Sequence, residues 1–249
     1  MTLKLSQIFA KQNDYVDLKL MRKKKAAVFG VGQLGSLSAL YLAKSGIGSL
    51  VLLDKDTVEL RNTNVQLLYS PEDIGLNKAN VIAAKLKNLS PWTAVSKALI
   101  QIPTGYEHED VFEQKMTKVV ELIEGCHAAL CCFDNIESRV SVAKICRRLN
   151  IPMFDAGILG KNGQVLATIW NKTPCIGCLN LTGAGNRPCI LASTVCSGAI
   201  VSGLQVAMAI DYLHAKEIPH FVAVDLEDFS MRQLSVRRKP DCWLCGETQ

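Results

Sequence analysis

The chain has 249 residues, 49% hydrophobic and 20% charged, with a formal net charge of +5. That composition excludes a disordered chain and suffices for one sizeable α/β core. The positive charge is scattered except for Arg22-Lys23-Lys24-Lys25, which few aromatics flank, so the balance argues against a nucleic-acid partner.

Residues 1–22 read as a helical arm, with Leu3, Leu5, Ile8 and Phe9 as a partial apolar face. Lys4, Lys11 and Asp14 interrupt any export-signal core, so the ten cysteines read as reduced thiols in a cytoplasmic protein. A strand at 26–29 runs into Gly30-Val31-Gly32-Gln33-Leu34-Gly35, followed by a helix at 34–45 and the stop Gly46-Ile47-Gly48. A second strand, 49–53, ends at Asp54. Strand, glycine turn, helix and a carboxylate about twenty residues on form the layout of a nucleotide-binding βαβ unit. Gly30 and Gly32 let the backbone turn close to a phosphate, Gly35 permits close helix–strand packing, and Asp54 suits ribose hydroxyls.

A polar stretch over 54–64 carries Arg61 and Asn62, and 71–75 is a turn. Helical spacing predicts a helix over 77–88, placing Lys78 at its start with reach toward phosphate oxygens. Strands follow at 95–100 and 128–133, separated by a helix at 109–124. The second of these strands is a continuous apolar run of the buried parallel type, ending at Asp134-Asn135. A carboxylate at that rim can hold magnesium against a triphosphate, or it can cap the next helix, 136–149. Beyond a short strand at 152–155 the pattern turns strand-rich, with runs at 164–170, 221–224 and 231–236. The apolar stretch 190–210 contains Ser193, Thr194, Ser197, Ser202 and Gln205, so a buried helix over 194–214 suits it better than a membrane span. Strands alternating with helices predict a doubly wound, mostly parallel Rossmann-like sheet.

The cysteines form a second signal. Cys175-Ile176-Gly177-Cys178 and Cys242-Trp243-Leu244-Cys245 can supply four thiolates to one tetrahedral Zn2+, stapling the strand-rich C-terminal extension to the body. Cys189 follows a glycine- and proline-bearing segment that suits an exposed nucleophile. Cys196 reads as packing within the apolar helix, and Cys126, Cys131, Cys132 and Cys146 fall on core faces.

Together these segments resemble the ubiquitin-activating-enzyme-like adenylyltransferases, a family that includes the sulfur-carrier activators of the molybdopterin and thiamine pathways and the small activator of the ubiquitin-fold modifier. The resemblance runs through Gly30 to Ser36, Gly46-Ile47-Gly48, Asp54-Lys55-Asp56-Thr57-Val58-Glu59, Gly75-Leu76-Asn77-Lys78, Phe133-Asp134-Asn135 with Arg139, and both cysteine pairs. It implies ATP- and Mg2+-dependent adenylation of the C-terminus of a small β-grasp protein ending in Gly-Gly. Asp134, Lys78 and Arg61 would be catalytic, with Gly30, Gly32, Gly35, Asp54, Asp56, Asn62 and Asn135 holding the nucleotide. Cys189 would then take the acyl group as a thioester.

It also implies a homodimer and a separate downstream conjugating or sulfur-transfer enzyme, with no nucleic acid or membrane partner. One domain over 1–249 is expected: an arm (1–25), a nucleotide-binding half (26–160) and a carrier-binding, zinc-bearing half (161–249). Two departures stand out. The family's Asn-x-x-Arg arginine is replaced by Val65, and the arm lacks the Arg-Tyr-x-Arg segment, leaving Arg61 or Arg22 as substitutes. A weakened scaffold subunit pairing with an active homologue is the alternative. A nicotinamide-dependent dehydrogenase would leave Lys78, Asp134 and the paired cysteines without a role.

Overall fold

Side chains of β1 (Lys25–Phe29) alternate between two cores, Ala26 and Val28 on one side and Ala27 and Phe29 on the other. A strand apolar on both faces needs helices on both faces. The computed structural model, which describes residues 4–103, 108–179 and 192–246, supplies them. With β2 (Ser49–Leu53), β3 (Ala94–Ala98), β4 (Ala128–Cys131), β5 (Met153–Leu159), β6 (Asn162–Thr168), β7 (Phe221–Asp225) and β8 (Ser230–Gln233), the sheet order is β3-β2-β1-β4-β5-β6-β7-β8. Pairing is parallel from β3 to β5 and antiparallel from β5 to β8. The sheet is therefore mostly parallel in its first half and a meander in its second.

Two short helices, α1 (Leu5–Ile8) and α2 (Leu18–Met21), precede β1. One core layer is built with α3 (Gln33–Lys44), α4 (Lys78–Leu89) and α7 (Val195–Leu213). The other uses α5 (Glu109–Ile123), α6 (Ile136–Arg148) and the cysteine-bearing loops. The length and composition of α7 would let it cross a bilayer, but Val201, Gln205, Val206 and Ala209 are buried within the fold, as its interrupting polar residues predict. Gln205 donates to the carbonyls of Cys131 (3.2 Å) and Phe154 (2.8 Å) and accepts from Ser38 Oγ (2.7 Å), joining α7 to α3 and two strand ends.

Several elements depart from expectation: β3 ends two residues early, at Ala98, β6 spans Asn162–Thr168 rather than 164–170, and β8 stops at Gln233, short of the expected 236. The predicted arm helix is two single turns, because too few apolar residues line up to offset helix nucleation. Its Phe9 is buried edge-on against Trp92, with ring centroids 5.3 Å apart. The strand expected at 152–155 runs seven residues and pairs with β6 through a turn at Gly160, whose φ is +62°. Gly157 weakens the apolar pattern there. Finally, the run at 128–133 pairs only as far as Cys131, since the chain must turn before Asp134.

Candidate functional site

In this order the connections leave β1 and β4 in opposite directions, which opens a crevice at their carboxyl ends. The glycine turn lies on one side of it. Gly30 has φ +77°, and a Cβ on Gly35 would lie 1.8 Å from the Gly30 carbonyl oxygen, so α3 can start this close to β1 only with glycine there. Gly32 is the N-cap of α3 and no side chain caps that helix, leaving its first-turn N–H groups and positive dipole end for an anion.

Asp54 serves the turn from below. It is 5% exposed, and its carboxylate accepts from the Val31 N–H (2.7 Å) and the Asp56 N–H (2.8 Å). Burial raises its pKa, opposed by those two N–H groups and by the charge on Lys78. Buried Tyr69 donates its hydroxyl to the Val31 carbonyl at 2.6 Å, bracing the same loop from α4's side.

Lys78 begins α4 with its side chain 10% exposed and Nζ 3.7 Å from the Asp56 carboxylate. Its own N–H donates to the Asp56 carbonyl at 2.9 Å, tying the loop after β2 to the start of α4. The preceding 3-10 turn, Pro71–Asp73, is anchored likewise. Asp73 accepts from the Ser70 N–H (2.8 Å) and pairs with Lys85 of α4. Burial would raise the Asp73 pKa, but Lys85 and the Ser70 donors outweigh it and hold the carboxyl below its ordinary 3.8. Because the folded value is depressed, its contribution is complete above pH ~4 and vanishes as pH falls through the lower folded value. Asp73→Ala should cost about 1 kcal/mol at pH 7. Urea midpoints of variant and wild type should converge at pH ~2; a gap that persists unchanged there would refute this.

Asp134 and Asn135 follow β4 on the crevice's other side. The α6 cap is Asn135, whose Oδ1 accepts from the Ser138 N–H at 2.8 Å; Asp134 is exposed and does not cap. Arg139, one turn on, donates to the carbonyls of Phe133 (2.8 Å) and Ala156 (3.0 Å) and lies 3.3 Å from Asp155. Its guanidinium crosses Gly157, where a Cβ would meet it at 2.8 Å, so a side chain at 157 would displace it. Asp155 is buried, and desolvation raises its carboxyl against the pull of Arg139. The pair thus sets the backbone that carries Asp134.

A cavity of about 340 Å³ gathers Gly30, Gly32, Asp54, Asp56, Arg61, Asn62, Lys78 and Asp134. Of the other expected residues, Gly35 acts beneath the loop, and Asn135 lines an adjoining cavity with Asp54, Asp56 and Asp134. Cys189 lies outside the described residues. Of the two candidate substitutes for the missing arginine, Arg61 lines the cavity, paired with Glu59 at 2.5 Å. Arg22 does not; its guanidinium donates to the carbonyls of Ile47 and Trp92 at the opposite edge of the sheet.

Sequence reasoning missed Gln66, Ser193 and the side-chain role of Gln33. Gln66 lines the cavity with a buried Oε1 that has no partner among the described residues. Gln33 accepts from Ser193 Oγ (2.6 Å) and donates to the Thr194 carbonyl (2.8 Å), bringing residues about 160 positions away into the cavity wall. No local pattern announces such a contact. Cys132 also lines the cavity, but burial pushes its thiol up to about 12, which makes it a poor nucleophile. Cys196, expected to pack, is exposed, because α7 starts only one residue before it.

The paired cysteines converge. Cys175, Cys178, Cys242 and Cys245 are buried with their sulfurs within 4.8 Å of one another. Sulfur separations are 3.9 Å (Cys175–Cys178), 3.7 Å (Cys175–Cys242) and 3.5 Å (Cys178–Cys245). A tetrahedron with metal–sulfur bonds of about 2.3 Å has edges of about 3.8 Å, so the donor set fits zinc.

The model of the ThiF family matches residues 5–244. The chain is 33% identical over 228 residues to the sulfur carrier protein ThiS adenylyltransferase of Escherichia coli (strain K12), covering 88% of this chain and 84% of that one. Against the molybdopterin-synthase adenylyltransferase of the same strain it is 26% identical over 247 residues, covering 97% and 94%. It is 30% identical over 239 residues to ubiquitin-like modifier-activating enzyme 5 of Caenorhabditis briggsae, covering 91% of this chain and 55% of that longer protein. The crystal structure of E. coli MccB with ATP shares the fold, with a TM-score of 0.76 at 23% identity over 92% of this chain and 68% of that one. The chain belongs to the ThiF family, and the relatives it matches are adenylyltransferases and modifier-activating enzymes.

Proposed function

We propose that this chain uses ATP and Mg2+ to adenylate the C-terminal glycine of a small ubiquitin-like or sulfur-carrier protein. The observation that carries the reading is a shared wall. A second cavity, of about 560 Å³, runs along β5 to β8 and has Asp134, Arg139 and Ile158 in common with the glycine-turn cavity. An extended Gly-Gly tail lying along the meander half (161–249) would reach the nucleotide there. Exposed Leu159, Met231 and Leu234 give the carrier's body an apolar surface nearby.

In this reading the first-turn N–H groups of α3 and the side chains of Lys78 and Arg61 face the phosphates, and Asp54 and Asn62 the ribose. The nucleotide cavity also holds the carboxylates of Asp54, Asp56, Glu59 and Asp134. A triphosphate brought among them needs a divalent cation, and Asp134, exposed and not engaged as a cap, is positioned to bind it. The tail carboxylate attacks the α-phosphate; the α–β bridging P–O bond breaks and pyrophosphate leaves with the electron pair. Negative charge gathers at the α-phosphate, where Lys78 and the helix dipole stabilise it. In a second step the Cys189 thiolate would attack the acyl carbon and expel AMP, leaving a thioester for a separate conjugating or sulfur-transfer enzyme.

Incubation with ATP, Mg2+, labelled pyrophosphate and Gly-Gly-ended carriers should give carrier-dependent exchange into ATP. Its absence with every carrier tried would overturn the adenylation reading. A thiol-releasable carrier adduct should disappear in Cys189→Ala while exchange persists; an adduct that survives would remove Cys189 from the reaction.

Val65 favours a second reading, a scaffold subunit paired with an active homologue, because the cavity has an apolar side chain where the family carries a phosphate-contacting arginine. Calorimetry separates the two: an active subunit binds MgATP by itself, and a scaffold does not. The proposed assembly is a homodimer in a reducing, cytoplasmic setting. Exposed Leu60 and Leu67 are candidates for its contact surface.

A further inference from the structure

We propose that Arg147 and Arg238 form an outer layer of the four-cysteine metal centre, clamping its second knuckle and offsetting the charge of its thiolates. The inference rests on the reading of the cluster as a tetrathiolate zinc site. Four thiolates around Zn2+ leave a net charge of −2 in a place where all four side chains are buried. Unbalanced buried charge is costly, so compensating donors and cations are expected close by.

The two arginines provide them in an ordered way. Arg147, in the last turn of α6, donates through one terminal nitrogen to the Leu244 carbonyl (2.6 Å) and through the other to the Gly246 carbonyl (2.7 Å), straddling Cys245. Arg238 donates to the carbonyl of Cys245 itself at 2.7 Å. Three successive knuckle carbonyls therefore accept from two guanidinium groups. The Leu244 carbonyl shares its peptide unit with the N–H of Cys245, itself one of the four clustered cysteines. A cation on the carbonyl end polarises the peptide and strengthens its N–H as a donor.

One further contact and one unpaired donor favour this over a purely structural role. The Lys239 N–H points at the Cys178 sulfur at 3.5 Å, next in sequence to Arg238. Arg238 Nε is buried without a partner among the described residues, a charged donor kept in reserve beside the cluster. Complementing the α6 dipole explains a cation near that terminus, but neighbouring Arg148 already lies in the same last turn. The dipole does not account for a fork spanning residues 244–246. Gly177 completes the closure: a Cβ there would meet the Cys242 sulfur at 3.0 Å and Leu244 at 2.8 Å, so the knuckles touch directly.

The test follows transfer of zinc from the purified, zinc-loaded full chain to a chromophoric chelator, with metal content measured by mass spectrometry. Arg147→Ala and Arg238→Ala should each release zinc about 10–100-fold more readily than wild type. Arg22→Ala is the matched control, because its guanidinium also donates to two backbone carbonyls but at the far edge of the sheet; its release should equal wild type. Arg147→Lys, which restores the charge without the fork, should fall between. Arg238→Lys provides the milder probe should Arg238→Ala not fold. Wild-type release in both arginine variants, or acceleration matched by Arg22→Ala, would overturn the outer-layer role. A wild-type chain purified without zinc, and unable to take it up, would instead overturn the metal reading on which the inference rests.

Discussion

Asp134→Ala is expected to lower carrier-dependent pyrophosphate exchange by about 10²–10³-fold while moving the thermal midpoint by no more than about 2 °C. The two halves of that expectation have separate causes. Asp134 is exposed, and the side-chain hydrogen bond it accepts is a long 3.4 Å approach from Asn135 Nδ2. The α6 cap belongs to Asn135, so removing the Asp134 carboxylate takes nothing from the fold. At the crevice, however, Asp134 lines both cavities, at the place where a carrier tail and a triphosphate would meet. Asp134→Asn keeps the size and removes the charge, so it should be almost as inactive. Exchange at more than a tenth of wild-type rate in both variants would place the divalent cation elsewhere. Lys78 would not give so clean a result, because it is buried and tied to Asp56, and its loss would disturb the loop as well as the chemistry.

Removal of metal by a strong chelator under reducing conditions, or Cys245→Ser, should lower the thermal midpoint by about 10 °C. The four-cysteine cluster brings together residues 67 positions apart, placing the segment after β8 beside α6. Leu244 and the four cysteines are part of the same apolar layer as Trp170, Ile176 and Ile145. Without metal, four buried thiols meet only through weak S–H contacts, and the second knuckle keeps only its apolar packing and the arginine hydrogen bonds to its carbonyls. The chelated protein should regain its midpoint on adding back zinc. A midpoint indifferent to chelation would mean that apolar packing alone seats the tail.

Much of this was legible in the sequence because periodicity and glycine placement are local signals. β2 matches its expected span, and β1, α3, α4, α5, α6 and α7 deviate by about one residue at either end. The glycine turn could be read because Gly30 and Gly35 each answer a backbone demand within six residues, one a positive φ and the other a close helix–strand approach. Both cysteine pairs could be read because a metal knuckle needs its ligands three apart. The β5–β6 hairpin was under-read. Gly157 looks like a break in an apolar run, yet it is there to admit Arg139, which approaches from another element. The arm was over-read, since a few apolar residues at helical spacing do not sustain a helix when the body offers a ready site for Phe9.

The sequence by itself determined the run of strands and helices in the first half of the sheet, the glycine turn, the two cysteine pairs and the residue types at the crevice, all properties of short stretches of chain. Only the tertiary structure decided that Asn135 and not Asp134 caps α6, that Arg61 and not Arg22 reaches the cavity, and that Gln33, Gln66 and Ser193 complete its wall. Those outcomes depend on which strand ends and loops are brought side by side by the order β2-β1-β4-β5. Hydrogen bonds and ion pairs act over about 3–4 Å in space whatever the separation along the chain, so spacing in sequence carries no record of them.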